Sequence, residues 1–307
     1  MSYFFHILYS NVIPLCTMIL IGAVLRRAFD LDIKTLSKLN FYIFSPALVF
    51  KMLYESIISG SVLMQVLLYF FVSMALLVVV IEITMRIRRY KAGMRSAMRN
   101  SVIFYNSANY AIPLNQLVFV GDAFTMSIQI IIMMMQSLLP NTYGIYSVNA
   151  HKGSLRSTLR TIFSMPTIYA IPLAFLLRGF AIPIPQPIYI SLDYVTDAFI
   201  ATALITLGVQ LGGMKWKIKF PDVLISNFLR LLIGPIIGFL VVLMLGIDGL
   251  MAKALILSSA VPTSLNSVLL AVEFDNEPEF ASQAILASTI FSIFTVTMVI
   301  YLLQFIE

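Results

Sequence analysis

The chain is built from long apolar runs separated by short polar or basic stretches. The segment LLYFFVSMALLVVVI at 67–81 is typical, with Tyr69 and Ser73 the two hydroxyls among aliphatic and aromatic side chains. Runs this continuous lack the apolar–polar alternation of a membrane β-barrel strand. A spanning helix needs about 20 apolar residues. Bounded by charge, glycine or proline, the runs predict ten spans, at 7–27, 36–54, 62–86, 97–120, 124–149, 159–180, 188–212, 221–246, 251–273 and 279–305. The fold class expected is an all-α polytopic membrane protein.

Composition removes the alternatives. Of 307 residues, 60% are hydrophobic and 11% charged, against about 25% charged in a soluble domain. Mean hydropathy is +0.95. Such a chain cannot cover itself with a polar coat, which excludes a soluble enzyme, a nucleic-acid-binding module and a disordered scaffold. The single cysteine, Cys16, excludes an internal disulfide and thiolate metal clusters. The start, MSYFFHILYSNVIPL, has no basic n-region and no small-residue cleavage site, so the first span is expected to direct insertion.

The net charge of +6 is explained by where the basic residues fall. Arg26, Arg27, Lys34 and Lys38 follow span one, and Arg86, Arg88, Arg89, Lys91, Arg95 and Arg99 follow span three. Lys152, Arg156 and Arg160 follow span five, and Lys215, Lys217 and Lys219 follow span seven. Sixteen of the twenty basic residues thus share one side, the cytoplasmic side by the positive-inside rule. Both termini are then extracytoplasmic.

The halves of the chain match weakly at a near-constant offset. Ile13-Pro14-Leu15 resembles Ile171-Pro172-Leu173, Ala47-Leu48 resembles Ala203-Leu204, and Gly121-Asp122 aligns with Phe274-Asp275. Residues 1–150 and 151–307 then form two five-span repeats. Five is odd, so the second copy is inverted, an arrangement many secondary transporters share.

In such repeats one helix of each half is broken near the membrane midplane. Span four carries Asn106-Ser-Ala-Asn109-Tyr-Ala-Ile-Pro113, and span nine carries Pro262-Thr-Ser-Leu-Asn266-Ser267. Each sets a proline among amides and hydroxyls. Proline removes a backbone donor and frees a carbonyl one turn earlier, and such groups must face protein or a wet cavity. Breaks in spans four and nine are therefore expected. Broken half-helices present N–H groups and about half a positive charge, which favours an anion. The candidate binding residues are Asn106, Asn109, Pro113, Pro262, Thr263 and Asn266, with Ser107 and Ser267 behind them.

Two charges are set apart from the basic edge. Arg230 lies inside span eight, where a charge is a functional candidate by default. Asp197 lies within span seven and is a candidate to pair with Arg230 or to titrate during transport. Glu82, one turn from Arg86, is expected to pair with the basic inner edge. Polar residues of span ten (Ser282, Gln283, Ser288, Thr289, Ser292) and span five (Gln136, Ser137, Asn141) should face neighbouring helices or the site. Gly208…Gly212 and Gly234…Gly238 have the spacing of close helix contacts.

Taken together, these segments resemble the auxin efflux carrier family of transporters. The likeness is carried by Asn106-Ser-Ala-Asn109-Tyr-Ala-Ile-Pro113, Ala260-Val-Pro262, Ser45-Pro46-Ala-Leu-Val-Phe50 and Thr206-Leu-Gly208-Val-Gln-Leu211, in order along the whole chain. It implies a fold like the bile-acid sodium symporters. Spans 1, 2, 6 and 7 would be a scaffold, and spans 3–5 and 8–10 a transport domain with two crossing broken helices. It implies transport of a small organic anion, auxin-like or a mono- or dicarboxylate, and a homodimer through the scaffold. Plant members often carry a long hydrophilic loop between spans five and six; here it is short, around His151, as in a compact prokaryotic member. Where some plant members place an acid and a lysine at the start of span three, this chain has Met64-Gln65.

No cofactor is expected; a proton or a sodium ion is the candidate coupling ion, and the residues do not identify a metal. An enzyme is not expected, because no His-Glu-x-x-His, no histidine within a span and no facing carboxylates occur. A sensor on the same fold and a channel are the competing classes. The partners expected are the anion and the lipid of the cell membrane, with no nucleic acid.

Overall fold

The computed structural model describes residues 2–29, 31–55, 58–144, 160, 163–214 and 220–306. Among them all regular structure is helical. An apolar segment in lipid has to satisfy its own backbone, and a helix does so locally. Helix α1 (Ile13–Phe29) continues from Ser2–Ile7 through a π turn at Leu8–Val12. Helix α2 (Ser45–Glu55) is entered from Ile33–Leu39 through the π turn Asn40–Phe44. Next come α3 (Gly60–Arg88), α4 (Ala92–Ile103), α5 (Ala111–Val118) and α6 (Ala123–Leu138). The second half holds α7 (Pro166–Gly179) and α8 (Gln186–Gly212). Helix α9 runs Phe220–Phe228, Leu229–Ile233 and Gly234–Leu245, its middle section a π turn. Then follow α10 (Gly249–Ser259), α11 (Asn266–Glu273) and α12 (Pro278–Leu303).

Five stretches are long and apolar enough to cross a membrane: Phe4–Phe29, Gly60–Ile87, Gln186–Gly212, Pro221–Leu245 and Pro278–Leu303. Their outward faces stay apolar. Phe71, Val79 and Ile87 of α3 and Leu240, Leu243 and Met244 of α9 are exposed. A set of bare aliphatic faces suits lipid, and the chain is a helical membrane protein. The basic segments around His151 and at 215–219 lie outside the described residues, as does most of the connection from span five to span six.

Helix ends follow their sequence signals. Asp32 accepts the Lys34 N–H at 3.0 Å and the Thr35 N–H at 3.2 Å. The Thr35 hydroxyl, donating at 2.6 Å, holds the Asp32 carboxyl below the usual carboxylate range. Asp122 caps α6 through the Thr125 N–H at 2.8 Å. At the α3–α4 hairpin, Glu82 accepts from Arg95 at 3.0 Å and from Arg99. Glu82 thus pairs with the basic inner edge as expected, its partners being Arg95 and Arg99 of the next helix.

Packing sorts the helices. Helices α1, α2, α7 and α8 pack on one another, the α1–α8 seam being the most extensive. Within this group the Asn40 amide donates to the Thr206 hydroxyl at 2.8 Å, and Lys51 pairs with Asp193 at 2.6 Å. On the other side α3 packs on α4, α6 and α9, and α9 on α10 and α12. Where the groups meet, Leu48, Val49, Leu53 and Phe199 face Ile112, Met126, Ile130 and Met133 in one apolar cluster.

Candidate functional site

Helices α4 and α10 both stop in the interior. Between α4 and α5 the chain is extended and then turns at 104–110; between α10 and α11 it does so at 260–265. The two extended pieces lie antiparallel, with Tyr105 bridged to Thr263. Asn106 N–H donates to the Pro262 carbonyl, and Ser264 N–H to the Phe104 carbonyl, both at 2.8 Å. Four helix ends meet here: the C-termini of α4 and α10 and the N-termini of α5 and α11.

A helix C-terminus leaves its last carbonyls unbonded, and a buried carbonyl needs a donor. Each carbonyl at the end of α4 finds one. Asn100 O accepts from Phe104 N–H at 3.1 Å, and Ser101 O from the Thr263 hydroxyl at 2.8 Å. Val102 O accepts from Arg230 Nη1 at 3.0 Å, and Ile103 O from Gln136 Nε2 at 3.3 Å. At the end of α10, Leu257 O accepts from Ala260 N–H at 3.1 Å. Ser259 O accepts from Arg230 Nη2. The Tyr69 hydroxyl donates to Leu255 O at 3.0 Å.

Flanking helices hold the turns. Gln129 Nε2 donates to Ser107 O at 3.0 Å, and Tyr105 N–H reaches Gln136 Oε1 at 3.4 Å. Both glutamines come from α6, two turns apart on one face. Helix α12 holds the other side. Ser288 Oγ accepts the Thr263 N–H at 3.1 Å, and Ser292 Oγ lies 3.0 Å from the Tyr110 hydroxyl. Of the polar residues named in spans five and ten, Gln136, Ser288 and Ser292 are turned onto the breaks, Ser137 and Ser282 bond to carbonyls of their own helices, and the Asn141 side chain lies outside the described ones.

The singled-out residues divide accordingly. Asn106, Pro262 and Thr263 meet directly where the two extended segments pair. Asn106 Oδ1 accepts the Asn109 N–H at 3.1 Å, and its carbonyl accepts the Ala111 N–H at 3.0 Å. Asn266 opens α11, its N–H 3.3 Å from Ser264 Oγ. The side chains of Asn109 and Asn266 are half-buried and make no hydrogen bond to a described residue. Pro113 is not at the break: it lies buried in the first turn of α5, where a missing N–H costs nothing. Pro262 is at the break.

Arg230 lies in the π turn of α9, 1% exposed. Its guanidinium carbon sits 4.6 Å from the centre of the Tyr105 ring. Pairing with Asp197 is not what the structure has: Asp197 is exposed on α8, and Arg230 turns to carbonyls and a ring. Sequence reasoning missed Gln129 and Tyr69. The i, i+7 spacing of the two glutamines in α6 was the available signal for the first; a tyrosine in an apolar run offered none for the second.

Thr263→Val keeps the shape of the side chain and removes the donor to Ser101 O. A buried carbonyl left without a partner costs about 1–3 kcal/mol. The variant should insert normally and melt at a lower temperature in detergent, while Thr263→Ser should melt near wild type. Equal melting of the valine and serine variants would refute the bond's contribution.

A family model described as "Membrane transport protein" matches residues 7–300. An uncharacterised transporter of Methanothermobacter thermautotrophicus is 22% identical over 288 residues, covering 92% of this chain and 94% of its own. An uncharacterised transporter of Methanocaldococcus jannaschii is 22% identical over 165 residues, covering 53% of each chain.

Proposed function

We propose that this chain, which belongs to the membrane transport protein family and to the auxin efflux carrier group its motifs resemble, moves a small organic anion across the cell membrane by alternating access. The family and the relatives are transporters, so the chain is a membrane transporter and not an enzyme. The substrate class is an auxin-like acid or a mono- or dicarboxylate. It binds at the crossing of the broken helices, between the N-termini of α5 and α11. Asn106, Asn109, Thr263 and Asn266 supply or position donors there, and Pro113 and Pro262 shape the backbone.

One observation carries this reading. At a crossing where the helix-end carbonyls are bonded, the amides of Asn109 and Asn266 stand half-buried without partners among the described residues. Two helix N-termini favour an anion. Hydrogen bonds to a charged group contribute roughly 1.5–3 kcal/mol each, so two or three give micromolar-to-millimolar binding.

In this reading the halves are inverted five-span repeats with both termini extracytoplasmic. Helices α1, α2, α7 and α8 form the scaffold, which is also the dimer face. The other helices move against it. The apolar boundary of Leu48, Val49 and Phe199 against Met126 and Met133 supports that motion. Such surfaces slide with little hydrogen bonding to break, here the long Ser127 Oγ to Met52 O contact at 3.5 Å, and methionine repacks readily.

The test is transient current from proteoliposomes challenged with mono- and dicarboxylates, with and without sodium and a pH gradient. A saturable current for one acid, lost in Asn109→Ala, is expected. Silence across the panel, together with no exchange of labelled acids, would overturn the anion assignment and favour a sensor. A current that does not saturate would favour a channel.

A further inference from the structure

A buried charge in a membrane protein needs a counter-charge, and Arg230 has no described carboxylate beside it. Its partners are Val102 O, Ser259 O and the face of Tyr105. Both carbonyls are helix ends, one of α4 and one of α10. Each helix C-terminus carries roughly half a negative charge, so two together balance about one guanidinium. Among the described residues the charge is balanced without an acid, while Arg230 Nε, also buried, has no hydrogen-bond partner there.

Carbonyls at the ends of broken helices are also where transporters built on inverted repeats hold a coupling cation. Here the guanidinium occupies that position on both helices at once. The approach depends on Gly234: a Cβ there would lie 2.8 Å from Arg230 Nη2 and 3.3 Å from Ser259 O. A cavity of about 40 Å³ lies beside the guanidinium; its walls are mainly apolar, and Tyr69, Ser73, Tyr105, Gln136 and Ser259 supply its polar groups. With the side chain shortened, that space admits a small cation.

We infer that Arg230 is a tethered cation, holding the C-terminal ends of α4 and α10 together where a free monovalent cation would otherwise be required, so that the carrier works without sodium. Arg230 is a positioning residue in this account: it sets the crossing, and the anion binds on the opposite, N-terminal ends. The inference rests on the transport reading above, but its first readout needs no substrate.

The experiment compares melting of purified wild type, R230A, R230Q and R230K in choline, sodium, potassium and millimolar guanidinium chloride. Wild type should melt alike in all four. R230A should melt lower in choline and recover in guanidinium or an alkali cation. R230Q, which keeps donors and loses the charge, should show the same cation dependence if R230A does not fold. R230K should stay indifferent to cations. Uptake of any acid found active should fall roughly tenfold in R230A, the size of one charged hydrogen bond, and return with the same cation. Wild type stabilised by sodium over choline overturns the proposal. So does a loss in R230A and R230Q that no cation restores, which would leave Arg230 a hydrogen-bonding role alone. A silent acid panel with the cation responses intact would sink the anion reading and leave this one standing.

Discussion

Gly208→Leu should yield no monodisperse protein on size exclusion in detergent, and even Gly208→Ala should melt well below wild type. The reason is how closely α1 and α8 approach. A Cβ at Gly208 would fall onto the Ile19 carbonyl oxygen and within 2.9 Å of the Gly22 Cα. A Cβ at Gly22 would fall onto the Ile205 carbonyl oxygen and within 3.0 Å of the Gly208 Cα. All of these atoms are backbone, so no side-chain rotation relieves the clash. The helices would have to separate, and Gly212 against Ala23, 2.8 Å from the Ala23 carbonyl oxygen to a built Cβ, shows that the close approach continues along the seam. Overpacking costs typically 1–3 kcal/mol for added methylenes in a core that can adjust, and this one cannot. Gly213→Ala is the control, since its Cβ would meet nothing nearer than Arg26 Nε at 3.5 Å. Gly208→Ala melting together with Gly213→Ala would show that the seam is looser than its geometry.

The contrast between these glycines marks what a sequence can and cannot tell. The spacing of Gly208 and Gly212 shows a close contact but not the partner, because Gly22 sits in a run with no such pattern around it. The breaks were legible for a similar reason: asparagines and hydroxyls in an apolar run have to go somewhere dry and polar. Proline located the break at Pro262 and misplaced it at Pro113. In the first turn of a helix proline disturbs nothing, so the signal in the first half was Asn106 and Asn109. Arg230 stood out as a charge within a span, yet its partners are carbonyls, which every residue has. No residue type could announce them, and the nearest acid in the expected plane, Asp197, drew the pairing instead. The same limit hid Gln129, whose acceptor is the backbone of Ser107.

Asn106→Asp should leave a folded protein that no longer binds an organic anion at neutral pH. The side chain is 7% exposed, and its Oδ1 holds the turn between α4 and α5 by accepting the Asn109 N–H. An aspartate keeps that acceptor and places a negative charge beside the N-termini of α5 and α11. Like charges brought together in a binding site cost several kcal/mol, so affinity for a carboxylate should fall at least about a hundredfold. Asn106→Ala should fail differently. It removes the acceptor, frees the Asn109 N–H and lowers melting by an amount comparable to a lost helix cap, about 0.5–2 kcal/mol. Transport falls because the turn is loosened. Asn109→Ala keeps the backbone N–H and the turn, so melting should hold while transport is lost. Titration of the purified variants with the active acid, alongside their melting curves, separates the three. If Asn106→Asp bound the acid as tightly as wild type, the anion would have to lie elsewhere than the crossing. If it bound a cationic solute better, the charge of the substrate itself would have been read with the wrong sign, since the aspartate would then be completing a site rather than blocking one.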